Sequence, residues 1–190
     1  MGKKILVILF LLFKVGSVSA SQNIAGDSAK ISLGQNIRRA NKSSYKDSVI
    51  AQNIKKQAMA KVLQKYQSPL VADIDSFVTT CQAEQIDCYL LPSIAGLESL
   101  FGRYIYPDSY NPFGWNGGYA RFRNWNEAIQ TVGQGLNERY IGRGAETIEQ
   151  IGRTYSESPT WAYRIRHFMT EFKSQEEANS LNFSTVVSRL

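Results

Sequence analysis

Histidine is almost missing from this chain: His167 stands alone among 190 residues, and the only cysteines are Cys81 and Cys88. A lone imidazole and a cysteine pair with six residues between its members lack the spacing of zinc ligands, so no metal site is expected. Long apolar runs are missing too. The one apolar block, "ILVILFLLF" at Ile5 to Phe13, is nine residues long and closed by Lys14. That is well short of the roughly 20 residues needed to span a bilayer. Internal repeats are absent, as is any stripe of Arg and Lys interleaved with base-stacking aromatics. Neither a repeat array nor a nucleic-acid partner is expected.

The short apolar block has a different meaning at the start of a chain. Lys3 and Lys4 precede it, and small residues at Val18 and Ala20 suit cleavage before Ser21. Residues 1–20 therefore read as a secretory signal peptide, which sends the protein to the cell envelope or the medium and leaves no membrane span after cleavage. The formal charge of +6 includes Lys3, Lys4 and Lys14, so the mature chain carries about +3. That mild excess suits an anionic envelope polymer. In an exported chain an even cysteine count points to a disulfide, here Cys81 to Cys88, closing a small loop between two helices.

From residue 21 to 48 the sequence is rich in Ser, Asn, Gln, Lys and Gly with scattered aliphatics, the composition of a flexible linker. Residues 49–67 place Ile50, Ile54, Ala58, Val62 and Leu63 at helical spacing opposite a lysine-bearing face. This segment is either a spacer helix or part of the domain. Ser68 then caps a helix with Pro69 in its first turn and Leu70, Ile74, Phe77, Val78 and Cys81 on one face. In "CYLLPSIAGLESLFG" the residues Leu91, Ile94, Ala95, Leu97 and Leu100 make a helix apolar on nearly every side, ended by Gly102. Such a helix runs through a core.

Between Arg103 and Trp125 the helical pattern vanishes. "RYIYPDSYNPFGWNGGYARFRNW" gathers most of the Tyr and Trp with Asn-Pro, Asn-Gly and Gly-Gly turn signals, and a short hairpin at Gly117 and Gly118 is expected. Helices resume at Asn126 to Ile141, Thr147 to Tyr155 and Pro159 to Lys173, the last with Trp161, Ile165, Phe168, Met169 and Phe172 on one face. Residues 176–190 read as a tail. The outline is a mainly α domain at residues 68–175.

One carboxylate, Glu98, interrupts the buried helix. Desolvation penalises an ionised acid and drives its pKa upward. A sugar hydrolase needs that product, a carboxylic acid still protonated near neutral pH that can deliver a proton to a glycosidic oxygen. The aromatic, asparagine-rich loop that follows supplies flat faces for pyranose rings and amides for hydroxyl and acetamido groups. The plainer account of Glu98 is an ion pair with Arg103 or a bond to backbone amides.

"AGLESLFG" at Ala95 to Gly102, "SYNPFGW" at Ser109 to Trp115, "ARFRNWNEAI" at Ala120 to Ile129 and the stretch from Tyr140 to Met169 together resemble the bacterial lysozyme-like superfamily. The likeness is to its glucosaminidase-type branch of peptidoglycan hydrolases, often described as mannosyl-glycoprotein endo-β-N-acetylglucosaminidase-like. The resemblance implies an α+β lysozyme-like fold, a helical bundle around a buried catalytic helix with a small aromatic loop or β-hairpin lobe. It implies Glu98 as general acid and a cleft lined by Asn111, Phe113 and Gly114, the family's "N-x-F-G". Tyr119, Phe122, Trp125, Ala128 and Ile129 match the aromatic strand and the "W-x-x-A-I" after it.

Ser99, Tyr110, Asn111, Phe113, Gly114, Trp115 and Tyr119 are thus the expected substrate contacts, with Ser99 a helper near the acid and Tyr119 a candidate to polarise developing charge. For the second carboxylate of that branch the loop offers only Asp108, which otherwise reads as a turn residue after Pro107. The expected function is hydrolysis of β-1,4 bonds between N-acetylglucosamine and N-acetylmuramic acid by a monomer without cofactor. The "GLMQ"-like segment of lytic transglycosylases is replaced here by "NPFGW", which ranks hydrolysis above anhydro-sugar formation. The alternatives are a lytic transglycosylase or a glycan-binding module that lost turnover.

Overall fold

The computed structural model describes residues 24–189; the segment expected as a signal peptide lies outside the described residues. The chain divides into two compact units, residues 1–45 and 46–190. In the first, the described residues 24–45 are helical, part of α1 (Ile24–Lys65). Residues 24–48, within the segment 21–48 expected as a linker, are helical. Their Ala, Lys, Gln and Arg content favours helix, and proline is absent from them; a missing apolar face leaves local helix propensity intact.

In the second unit the last turns of α1 bury Ala58, Met59, Val62 and Leu63, so residues 49–67 are part of the domain core. Ser68 caps the next element as its position predicts: its hydroxyl accepts from the Leu70 N–H at 3.0 Å and donates to the Phe101 carbonyl at 2.7 Å. A 3-10 turn at Pro69–Asp73 leads into α2 (Ile74–Ala83), followed by α3 (Leu90–Ser99) and, after a long irregular stretch, α4 (Trp125–Arg139). Asn124 caps α4 and a Thr147–Gln150 capping box opens α5 (Ile148–Tyr155), which is followed by α6 (Trp161–Val187).

The central helix α3 packs chiefly against α6, while α2 packs on α4 and α5 on α6. α2 and α4 come together where a side chain on Gly133 would collide with Thr80 and Leu91. Leu90, Leu91, Ile94 and Ala95 of α3 are all buried, which fits a helix apolar on nearly all sides. Cys81 and Cys88 form the expected disulfide, joining the end of α2 to the approach to α3. Residues 176–190, expected as a tail, instead continue α6 to Val187. Glu176 holds Lys55 at 3.0 Å and the Tyr89 hydroxyl at 2.8 Å, so polar side chains rather than apolar ones hold this part of the helix.

The architecture among the described residues is helical, with no strand. The expected hairpin at Gly117 and Gly118 is a run of turns: both glycines, and Asn116 before them, have positive φ, and their hydrogen bonds stay within residues 114–120. The "NGG" signal marks a reversal, but the residues around it lack the alternation that a ladder requires. No described helix is long and apolar enough to cross a membrane.

Candidate active site

The helix α3 does not stop at a glycine. Leu100, Phe101 and Gly102 turn left-handed in succession, with φ of 50°, 58° and 82°. For a leucine and a phenylalanine that backbone is unfavourable by roughly 1 kcal/mol each, and burial of Phe101 among Tyr66 and Phe168, at ring separations of 4.6 and 5.1 Å, offsets it. Just before this reversal stands Glu98, the one exposed residue of a helix whose other residues are buried or, at Leu97, partly buried.

Glu98 is consequently not the buried acid that the helix pattern suggests. The residue is solvent-accessible, and each of its carboxyl oxygens has a close neighbour. Oε1 accepts from the Trp161 indole N–H at 2.9 Å. Oε2 faces Gly114, where a Cβ would sit 3.3 Å away on a backbone of φ +62°. Desolvation pushes the carboxyl above its ordinary value, against the Trp161 hydrogen bond and the charge of Arg164, which both pull it down. No other carboxylate contributes to that shift, and Glu98 does not pair with Arg103, whose guanidinium reaches the Tyr66 carbonyl instead.

Tyr155 completes the surroundings. Its ring stacks on Trp161 at 5.1 Å and its hydroxyl donates to the Phe113 carbonyl at 2.7 Å. Burial, followed by the charge of Glu98, holds its phenol well above the usual value, so Tyr155 stays protonated with its hydrogen committed to the loop backbone. A cavity of about 580 Å³ opens beside this group, lined by Gly114, Trp115, Asn116, Gly117, Ala120, Arg139, Tyr140 and Tyr155. Gly114 and Tyr155 belong to both the cavity and the surroundings of Glu98.

The other expected site residues separate into three groups. Gly114 and Trp115 line the cavity. Ser99, Asn111 and Phe113 are internal: the Ser99 hydroxyl lies 2.7 Å from the Pro112 carbonyl and accepts from the Gly102 N–H at 2.8 Å. Asn111 accepts from the Trp115 N–H and donates to the Trp115 carbonyl, both at 3.0 Å, and the Phe113 side chain is wholly buried. "NPFGW" is thus a clamped turn that presents Gly114 and Trp115, with its polar and apolar anchors used internally.

Tyr110 packs edge-on to Trp125 at 5.0 Å. Tyr119 is 78% exposed and stacks with Tyr106 at 6.4 Å, over a smaller cavity of about 270 Å³. Asp108 sits exposed in a left-handed turn, and among the described residues no hydrogen bond or ion pair joins it to Glu98. Sequence reasoning missed Tyr155, Tyr140 and Arg139 as cavity residues. Trp161 it assigned to the core by helical spacing, which its burial bears out, while the indole N–H reaches the acid. No protein-family model matches the chain, and no curated protein matches it either.

Proposed function

We propose that this protein is an exported glycoside hydrolase that cuts β-1,4 bonds between N-acetylglucosamine and N-acetylmuramic acid in peptidoglycan, with Glu98 as general acid. The observation that carries this reading is the state of Glu98: a solvent-accessible residue at a helix end, its carboxyl raised above its ordinary value by desolvation, beside a cavity of about 580 Å³ with aromatic walls. A proton donor must be both reachable and protonated. The Cys81–Cys88 disulfide agrees with a life outside the cytoplasm.

In this reading the Glu98 carboxylic acid gives its proton to the glycosidic oxygen as the C1–O bond breaks, and the Trp161 N–H holds the carboxylate so formed. A retaining pair of carboxylates stands about 5 Å apart, and among the described residues no hydrogen bond or ion pair joins a second carboxylate to Glu98. In this reading the electrons that C1 needs come from the acetamido oxygen of the same sugar or from water, which Glu98 then deprotonates. A single acid also suffices for a lytic transglycosylase, in which the sugar's own 6-hydroxyl attacks C1.

The test is to incubate the protein and Glu98→Gln with purified peptidoglycan and identify released fragments by mass spectrometry. Reducing ends are expected from the unaltered protein and none from the variant. Fragments with 1,6-anhydro ends would move the protein to the transglycosylases. Retained sedimentation on the polymer without fragments would make it a binding module.

A further inference from the structure

The cavity beside Glu98 has one charged residue in its lining, Arg139. It sits in the last turn of α4, where a cation complements the helix dipole, but its surroundings go further than that. Its guanidinium carbon lies 5.5 Å from the centre of the Trp115 ring. That ring is itself fixed: the Trp115 backbone is held at both its N–H and its carbonyl by Asn111, and the indole rests against Gly135, where any side chain would collide with it. Among the described residues no carboxylate pairs with Arg139. Its neighbour Glu138 accepts from Gln134 instead.

A guanidinium held over an aromatic ring by cation–π attraction keeps N–H donors for a further partner, and their fork matches a carboxylate. An unpaired, positioned cation on a cavity wall of tyrosine and tryptophan is therefore half of an anion contact. We infer that Arg139 selects glycans carrying a carboxylate, binding that group while the sugar ring lies against the cavity wall. The inference rests on the glycan reading above. In peptidoglycan the carboxylate has two sources, the lactyl ether of a muramic acid freed of its peptide and the stem peptide itself. Neutral N-acetylglucosamine oligomers have neither.

The test measures binding by calorimetry in Glu98→Gln protein, so that no ligand is consumed. Three probes are used: peptide-free glycan fragments with free lactyl groups, the same fragments bearing stem peptides, and the N-acetylglucosamine tetramer. Adding Arg139→Gln is expected to weaken at least one acidic probe by roughly tenfold or more, as loss of a charge-assisted hydrogen bond implies, and to leave the neutral tetramer unchanged. Arg139→Lys should restore part of the loss, because it keeps the charge without the fork.

Which acidic probe responds names the source of the carboxylate. Equal loss on acidic and neutral probes would overturn the inference by showing that Arg139 merely shapes the cavity, as would no loss on either. Both results leave the glycan reading standing. Failure of all three probes to bind the Glu98→Gln protein would overturn the glycan reading and this inference together.

Discussion

At its N-terminal end α3 is fixed by a disulfide from Cys88 to Cys81, by the Asp87 carboxyl accepting the Tyr89 N–H at 2.9 Å, and by an ion pair from Asp87 to Lys173 at 3.0 Å. At its C-terminal end, among the described residues, there is neither a covalent link nor an ion pair. Left-handed Leu100, Phe101 and Gly102 reverse the chain, and one buried hydroxyl, Ser99, ties the helix to the loop. The acid stands at this second end. Strain and neutral hydrogen bonds thus surround the candidate chemistry, while the strong links sit a helix length away, the distribution expected where local adjustment serves a site.

The sharpest test of that contrast is Glu98→Gln. Turnover should fall by at least about a hundredfold, as removal of a general acid does, in assays of glycan release. Folding should survive. Burial holds the folded carboxyl above the unfolded value of 4.5, so protonation favours the native state and that stability is lost as pH rises through the folded value. Thermal melts at pH 7 should therefore show the variant at or above the unaltered protein, with the gap closing below pH 4.5.

Next in size is Ser99→Ala, which strips partners from the Pro112 carbonyl and the Gly102 N–H in a buried place. A loss of about 3 kcal/mol in denaturant unfolding is expected, together with lower activity because Gly114 is no longer held against Glu98. Replacing both Cys81 and Cys88 by Ala should cost about 2 kcal/mol and leave the rate of glycan release nearly unchanged. If the disulfide variant lost activity as strongly as Ser99→Ala, the two ends of α3 would not be separate in function.

The smallest effect is expected from Arg164→Gln. The Arg164 charge pulls the Glu98 carboxyl down, so its removal raises that group further, and the alkaline limb of the pH–activity profile should move to higher pH. A shift to lower pH, or none, would show that Glu98 does not set that limb.

The helices were legible because their apolar residues recur on one face: Leu70, Phe77, Val78 and Cys81 in the first capped segment, Trp161, Ile165, Met169 and Phe172 in the last, all buried as their spacing predicts. The stretch between α3 and α4 was not. Tyr110 adopts left-handed backbone that no local signal demands, in a loop whose turn is held by the bonds from Asn111 to Trp115. Phe113 reads as a cleft residue and is core; Asn111 reads as a sugar contact and is a turn clamp. The partner of Glu98 is 63 residues away in sequence, a pairing that spacing along one helix does not encode. The helix at residues 24–48 was not legible for a different reason: composition that cannot make a core can still make a helix.

The bond from the Trp161 indole to Glu98 gives the molecule a built-in optical probe. An indole whose N–H donates to a carboxylate sees a full negative charge at 2.9 Å, and that charge vanishes on protonation, changing the ring's electronic surroundings. Since Trp161 is buried and its position fixed, its emission wavelength should follow the proton on Glu98 and respond when a ligand displaces water from the acid. In the proposed reaction, the protonation state on which bond cleavage depends is then readable as a colour shift, without any substrate being cut.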